Sequence, residues 1–115
     1  MHELSIAQSI VEAVEVKATE LSATRVKGVR LRIGEASGIV ADSLTFCFEM
    51  LASSDPVLAG AQLQIEDVPH RARCHRCDQE FAVVNYIAQC PTCQEWSSDI
   101  ISGTELLVLE MEIET

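Results

Sequence analysis

A chain of 115 residues, 48% of them apolar, can enclose one modest core and at most a small satellite. Eighteen acidic against eight basic residues leave a net charge of −10, which repels a phosphate backbone and makes nucleic acid a poor partner. No apolar run approaches the ~20 residues needed to cross a bilayer. Glu3, Glu12 and Glu15 interrupt any leader-like pattern at the N-terminus, so a cytoplasmic protein with no membrane partner is expected.

Leu4, Ala7, Ile10, Val11, Val14, Ala18 and Leu21 recur at helical spacing and predict a first helix. Ser5 and Gln8 have capping-box spacing, which would start that helix a few residues into the chain. Met1, His2 and Glu3 would then lie on or just before its first turn. Val29, Leu31 and Ile33 alternate with Arg30 and Arg32, as in a strand with one wet face. Gly34 and Gly38 flank a turn. A second helix is predicted from about Ser43 to Leu51, burying Leu44, Cys47, Phe48 and Leu51 before Asp55-Pro56 ends it.

Leu63, Ile65 and Asp67 belong to a second strand. From Glu105 onward Leu107, Leu109, Met111 and Ile113 alternate with Val108, Glu110, Glu112 and Glu114. The glutamate face of this last strand suits Arg30 and Arg32, so the two strands are predicted as neighbours. The expected fold class is α+β: a three-stranded sheet with two helices on one face, formed by residues 1–69 and 100–115. Into it is inserted a four-cysteine, zinc-ribbon-like knuckle over residues 70–99. An exposed sheet edge would permit a homodimer.

Cys74-His-Arg-Cys77 and Cys90-Pro-Thr-Cys93 are two CxxC turns separated by twelve residues. Each turn aims two sulfurs at one point, and two facing turns supply tetrahedral thiolate coordination suited to zinc. A reducing compartment favours metal ligation over disulfides; a redox dithiol and an iron–sulfur site are the competing uses. With all four positions filled by protein, such a site is structural rather than catalytic. Phe81, Tyr86 and Trp96 are available to pack around it. His70 and His75 carry two readings: His75 could displace a thiolate or respond to pH beside the site, or be a plain solvent-exposed histidine in its turn. Arg71, Arg73 and Arg76 make this edge basic and suggest a docking face for an acidic partner. Cys47, alone on its helix, is expected to be a small core residue.

His2 next to an α-amine offers a second metal site. The amine, the His2 amide nitrogen and its imidazole can close chelate rings, and such nitrogen-rich planar sets favour Ni²⁺ or Cu²⁺. A histidine at position two is common by chance, so the residues alone leave this open.

The Met1-His2-Glu3-Leu4-Ser5 start before a long helix, the Gly34-Glu35 turn after a strand and the Ser43-Leu44-Thr45-Phe46-Cys47-Phe48 helix form one pattern with the double CxxC and the closing Leu/Glu strand. End to end, that pattern resembles the HypA family, the nickel metallochaperones of [NiFe]-hydrogenase maturation. The resemblance implies a non-enzymatic protein that carries Ni²⁺ as transferable cargo. His2 would be the principal nickel ligand, with the Met1 amine or nearby amides, Glu3 tuning the site and Asp42 as a further contributor. It also implies structural Zn²⁺ on Cys74, Cys77, Cys90 and Cys93. The implied partners are the GTPase HypB, the hydrogenase large subunit and, in some members, urease maturation proteins. The competing reading is a zinc-ribbon module for protein interaction or nucleic-acid binding, against which the −10 charge counts.

Overall fold

The computed structural model describes residues 3–115, so the expectations that rest on Met1 and His2 lie outside the described residues. In chain order the elements are α1 (Glu3–Glu20), β1 (Arg25–Gly34), a 3-10 turn (Glu35–Ser37), α2 (Ala41–Ala52), β2 (Gln62–Val68), β3 (Arg71–Arg73), β4 (Glu80–Ala82), β5 (Ile100–Ser102) and β6 (Leu106–Glu114). They divide between two units. One takes the chain through Arg32, then Ile39–Glu66 and Leu107–Thr115. The other takes Ile33–Gly38 and Asp67–Leu106. The predicted knuckle, 70–99, lies inside the second.

In the first unit α1 buries Ala7, Ile10, Val11, Val14 and Ala18, the middle of the predicted stripe. Its ends, Leu4 and Leu21, remain exposed. Ser5 lies within the helix and its carbonyl accepts the Ser9 hydroxyl, so it is not the cap that its spacing with Gln8 suggested. The helix α2 packs on α1 and buries Leu44, Phe48 and Ala52. Cys47 and Leu51 are only half-buried, a correction to their expected core role. They sit at the margins of the buried face, and what covers a margin depends on its neighbour rather than on periodicity. After α2 the Asp55 carboxylate accepts the Val57 N–H at 2.8 Å and turns the chain toward β2.

The strand order is β2-β1-β6, so the first and last strands are neighbours, as their charges predicted. Val29 and Leu31 of β1 face the core while Arg30 points to the wet side. The alternation of buried residues slips by one between Val26 and Val29, across Gly28. On the wet side Lys27 meets Glu114 at 2.9 Å and Arg30 meets Glu110 at 3.5 Å. Glu66 of β2 joins this ladder, 3.6 Å from Arg30 and 3.3 Å from Arg32.

The second unit holds a second three-stranded sheet, β4-β3-β5, that the sequence pattern did not reveal. Its strands are antiparallel and three residues long, with Ala72 opposite Phe81. Three residues are too few for an alternation to register. A small core of Ala72, Cys74, Phe81, Val83 and Cys90 lies beneath, with Cys77, Ala88 and Cys93 packed against it. Of the three aromatics expected there, only Phe81 is buried; Tyr86 and Trp96 are 69% and 67% exposed. Tyr86 instead donates its hydroxyl to the Ala36 carbonyl at 3.0 Å. That contact, with Gly34 N–H to Glu105 O and Ala36 N–H to Gly103 O, ties the segment after β1 into this unit.

Candidate metal centre

The two CxxC turns are copies of one local structure. Cys74 N–H donates to Gln79 O and Cys90 N–H to Glu95 O, both at 2.8 Å. Asp78 N–H returns to Cys74 O and Gln94 N–H to Cys90 O, at 2.8 and 2.9 Å. To close these loops Asp78 and Gln94 take left-handed conformations, φ 56° and 68°, at the same position in each turn. No glycine announces them, so the sequence carried no signal for this strain.

The turns bring four sulfurs together. Cys74 and Cys93 Sγ are 3.4 Å apart, as are Cys77 and Cys90, and no pair exceeds 4.8 Å. Thiolate bonds of about 2.3 Å around a tetrahedral ion set sulfur–sulfur edges of about 3.8 Å, so the donor set fits one ion. Cys74 and Cys90 are buried and their partners half-buried.

The turns also divide the thiols into two kinds. The first cysteine of each receives backbone N–H groups, which favour the thiolate. Cys90 is brought down to about 6, chiefly by the Cys93 N–H. Cys74 is lowered in the same way by the Cys77 N–H. Cys77 is pushed up to about 12, chiefly by its contact with Cys90 and then by burial. Cys93 also rises: the Glu95 N–H acts downward, but burial and the Cys74 and Cys90 thiols outweigh it. The first thiol of each turn therefore favours the thiolate more than the second.

The histidines stay out of this cluster. His75 is exposed, as expected of its turn. His70 is 8% exposed and packs edge-on against Tyr86 with ring centroids 6.0 Å apart. The basic edge expected at Arg71, Arg73 and Arg76 is a correction, because every one of these arginines faces a carboxylate. Arg71 and Arg73 meet Glu80, Arg73 also meets Asp78, and Arg76 meets Glu95 at 3.1 Å. The three side chains are 37–69% exposed, and their charge is balanced by carboxylates of the same unit.

A second group of donors lies in the first unit. Glu3 and Asp42 line one open cleft of about 540 Å³ with Leu4, Ser43, Phe46 and Cys47. Asp42 is in the first turn of α2, where a helix N-terminus favours a carboxylate. The presence of Phe46 and Cys47 on this cleft was not foreseen.

These features define a small α+β metal-binding protein built around a four-thiolate knuckle. The family described as "Hydrogenase/urease nickel incorporation, metallochaperone, hypA" matches residues 1–113. The hydrogenase maturation factor HypA of Geobacter metallireducens is 46% identical, spanning 99% of this chain and 100% of its own. That of Geotalea uraniireducens is 45% identical over the same shares. The solution structure of the Ni metallochaperone HypA from Helicobacter pylori aligns with a TM-score of 0.70 at 26% identity, covering 99% of this chain and 98% of that one. The chain belongs to the HypA family, nickel metallochaperones of hydrogenase maturation.

Proposed function

We propose that this chain binds Ni²⁺ at its N-terminus and delivers it to the large subunit of [NiFe]-hydrogenase. His2 is the principal ligand, assisted by Met1, Glu3 and Asp42. The observation that carries the reading is the cleft shared by Glu3 and Asp42: the residue that follows His2 in sequence lines the same opening as a second carboxylate from α2. Imidazole with hard oxygen and amide nitrogen donors suits Ni²⁺, and an open site lets a recipient's ligands replace them stepwise. Neutral imidazole is the ligand, so binding weakens as the pH falls toward about 6.5.

The four-cysteine cluster holds Zn²⁺ as a resident structural ion. Every position around it is taken by sulfur, which keeps the metal in place and leaves none for substrate. Residues 70–99 thus serve as a zinc-binding domain, and residues 1–69 with 100–115 as the nickel-binding one. The chain acts as a carrier rather than an enzyme, in the cytoplasm. HypB and the hydrogenase large subunit are its working partners, urease maturation proteins a further recipient, and a homodimer is compatible with the β6 edge.

Calorimetric titration of untagged protein with Ni²⁺ tests this reading. His2→Ala is expected to abolish nickel binding while the four-cysteine metal and the fold survive. Asp42→Ala is expected to weaken it. Unchanged nickel affinity in His2→Ala would sink the site as drawn.

A further inference from the structure

The last strand is apolar along its first half and acidic along its second. Glu110 reaches Arg30 on the wet side of the sheet, so strand alternation puts Leu106 and Val108 on that side too. They are 41% and 44% exposed. Leu107, on the opposite side, is 50% exposed. The start of β6 therefore shows apolar side chains to water on both faces, where a solvated strand would carry polar ones on at least one. Its edge is open as well. Among the described residues β6 has one sheet neighbour, β1. Natural edge strands are protected by charge, proline or bulges. Glu110, Glu112 and Glu114 protect the second half of β6 in this way, whereas Leu106-Leu107-Val108-Leu109 leaves the first half bare. Val108, Leu109 and Met111 also line a groove of about 390 Å³ with Ala13 and Val14 of α1 and Leu21 just after it.

The charge pattern selects the occupant. A two-fold contact needs a surface that complements itself, and the first half of β6 does. Antiparallel pairing of β6 with a second β6 about an axis at Val108 sets Leu107 opposite Leu109 and Leu106 opposite Glu110. Val108 then meets the same residue of the second copy, and Glu112 falls opposite Thr104. Opposed residues in this register share a face, so the core-facing side chains of both copies stay on one side. No glutamate of the strand lies opposite or diagonal to another. Moving the axis to Leu109 brings the two Glu110 side chains onto a diagonal. Moving it to Glu110 sets them face to face, which is destabilising. An axis at Val108 thus gives the longest pairing free of repulsion between glutamates. A cationic strand from another protein would instead follow the glutamates and leave Leu106, Leu107 and Val108 in water.

We infer that two copies of this chain pair edge to edge through residues 106–110, joining their three-stranded sheets into one of six strands. Val108 lies on the two-fold axis, and Leu107 of each copy enters the groove between β6 and α1 of the other. This gives the β6 edge a defined occupant and register. The groove shares no residue with the Glu3–Asp42 cleft, so the interface stands apart from the nickel reading.

Sedimentation equilibrium of the untagged chain, up to high micromolar concentration, tests the interface. The wild type is expected to dimerise. Val108→Lys sets two cations together on the axis and is expected to weaken the dimer at least tenfold. Val16→Lys, at an exposed apolar position of α1 outside the groove, should leave it unchanged. Register is read by cross-linking in a Cys47→Ser background. Directly opposed strand positions hold their Cα atoms about 4.5–5.5 Å apart, within disulfide reach. Val108→Cys should therefore give a disulfide-linked dimer on air oxidation, and Glu112→Cys should not. A wild type that stays monomeric, a dimer indifferent to Val108→Lys, or one equally weakened by Val16→Lys overturns the inference. So does equal cross-linking at positions 108 and 112, since the register would then be another. Retention of nickel by His2→Ala would sink the nickel site alone and leave the dimer standing.

Discussion

Gly34 and Gly103 meet backbone to backbone, so closely that a Cβ on Gly34 would overlap the Gly103 carbonyl. Two hydrogen bonds hold them there, Gly34 N–H to Glu105 O at 2.7 Å and Ala36 N–H to Gly103 O at 2.8 Å. Gly103 has φ 102°, and a Cβ there would run into the His70 backbone. Neither glycine has room for a side chain, and only the second needs its unusual conformation.

Gly34→Ala and Gly103→Ala should each lower stability by about 2–4 kcal/mol in urea unfolding, since backbone cannot step aside as a flexible side chain can. Gly38→Ala is the comparison. It also has positive φ, 71°, but its nearest neighbour would be the Tyr86 hydroxyl at 3.7 Å. It should cost only about 1 kcal/mol, the conformational term alone. Equal losses at all three positions would show that overlap is not the cause.

Removing the metal should unfold the second unit. Its core consists of five residues, only Phe81 of them large and two of them cysteines of the cluster, so without an ion it is too small to hold three short strands. Chelation or Cys90→Ala is expected to broaden the amide resonances of residues 67–106 while Leu44, Phe48 and Leu31 keep native environments. Well-dispersed spectra for both units after chelation would refute this.

Acid should release the ion late. The Cys90 thiol is already brought to about 6 by the Cys93 and Thr92 N–H groups, and a bound cation lowers it further. A lowered value contributes stability that is present above the unfolded value and lost as the pH falls through the folded one. Metal content measured against pH should therefore hold through neutrality and fall only below about pH 6. Half-release above pH 7 would mean that the raised Cys77 and Cys93 thiols, and not Cys90, govern release.

Glu15 is expected to weaken the fold at neutral pH. Its carboxyl is raised above the usual 4.5, chiefly by the neighbouring Asp55 carboxyl, then by burial and by Glu12. A raised value means that the folded state holds the proton more tightly. The associated stability is complete below 4.5 and lost as the pH rises through the folded value. Glu15→Gln removes the repulsion and should raise the melting temperature at pH 7, with the gain closing as the pH drops below 4.5. A gain independent of pH would point to some other cause.

Arg30→Ala should do little. The arginine meets Glu66 and Glu110, but all three side chains are 42–64% exposed, and such pairs contribute about 0–1 kcal/mol. The loss should shrink further in high salt. The ladder of charges selects which strands are neighbours more than it holds them together.

Local spacing made much of this molecule legible. The α1 stripe, the wet and dry faces of β1 and the two CxxC turns are each written within a few residues, at periods set by helix, strand or tight turn. The neighbouring of β1 and β6 was legible as well, because Arg30 and the late glutamates need each other across a ladder. The strands β3, β4 and β5 were not, being too short to have a period. Nor was the attachment of Ala36 to Tyr86, fifty residues away, which depends on the chain's path and not on either residue's type.

The sequence by itself determined the family and the metal chemistry of the knuckle, since the identity of four ligands lies in two short turns. Only tertiary structure decided what each residue faces. It separated the thiols, lowering Cys74 and Cys90 chiefly through backbone N–H groups and raising Cys77 and Cys93 through burial and contact with the other thiols. It paired the three arginines at the surface with Glu80, Asp78 and Glu95, and it left Phe46 exposed on the cleft with Glu3 and Asp42. Burial and hydrogen bonding are properties of a residue's neighbours, and most of those neighbours are distant in the chain.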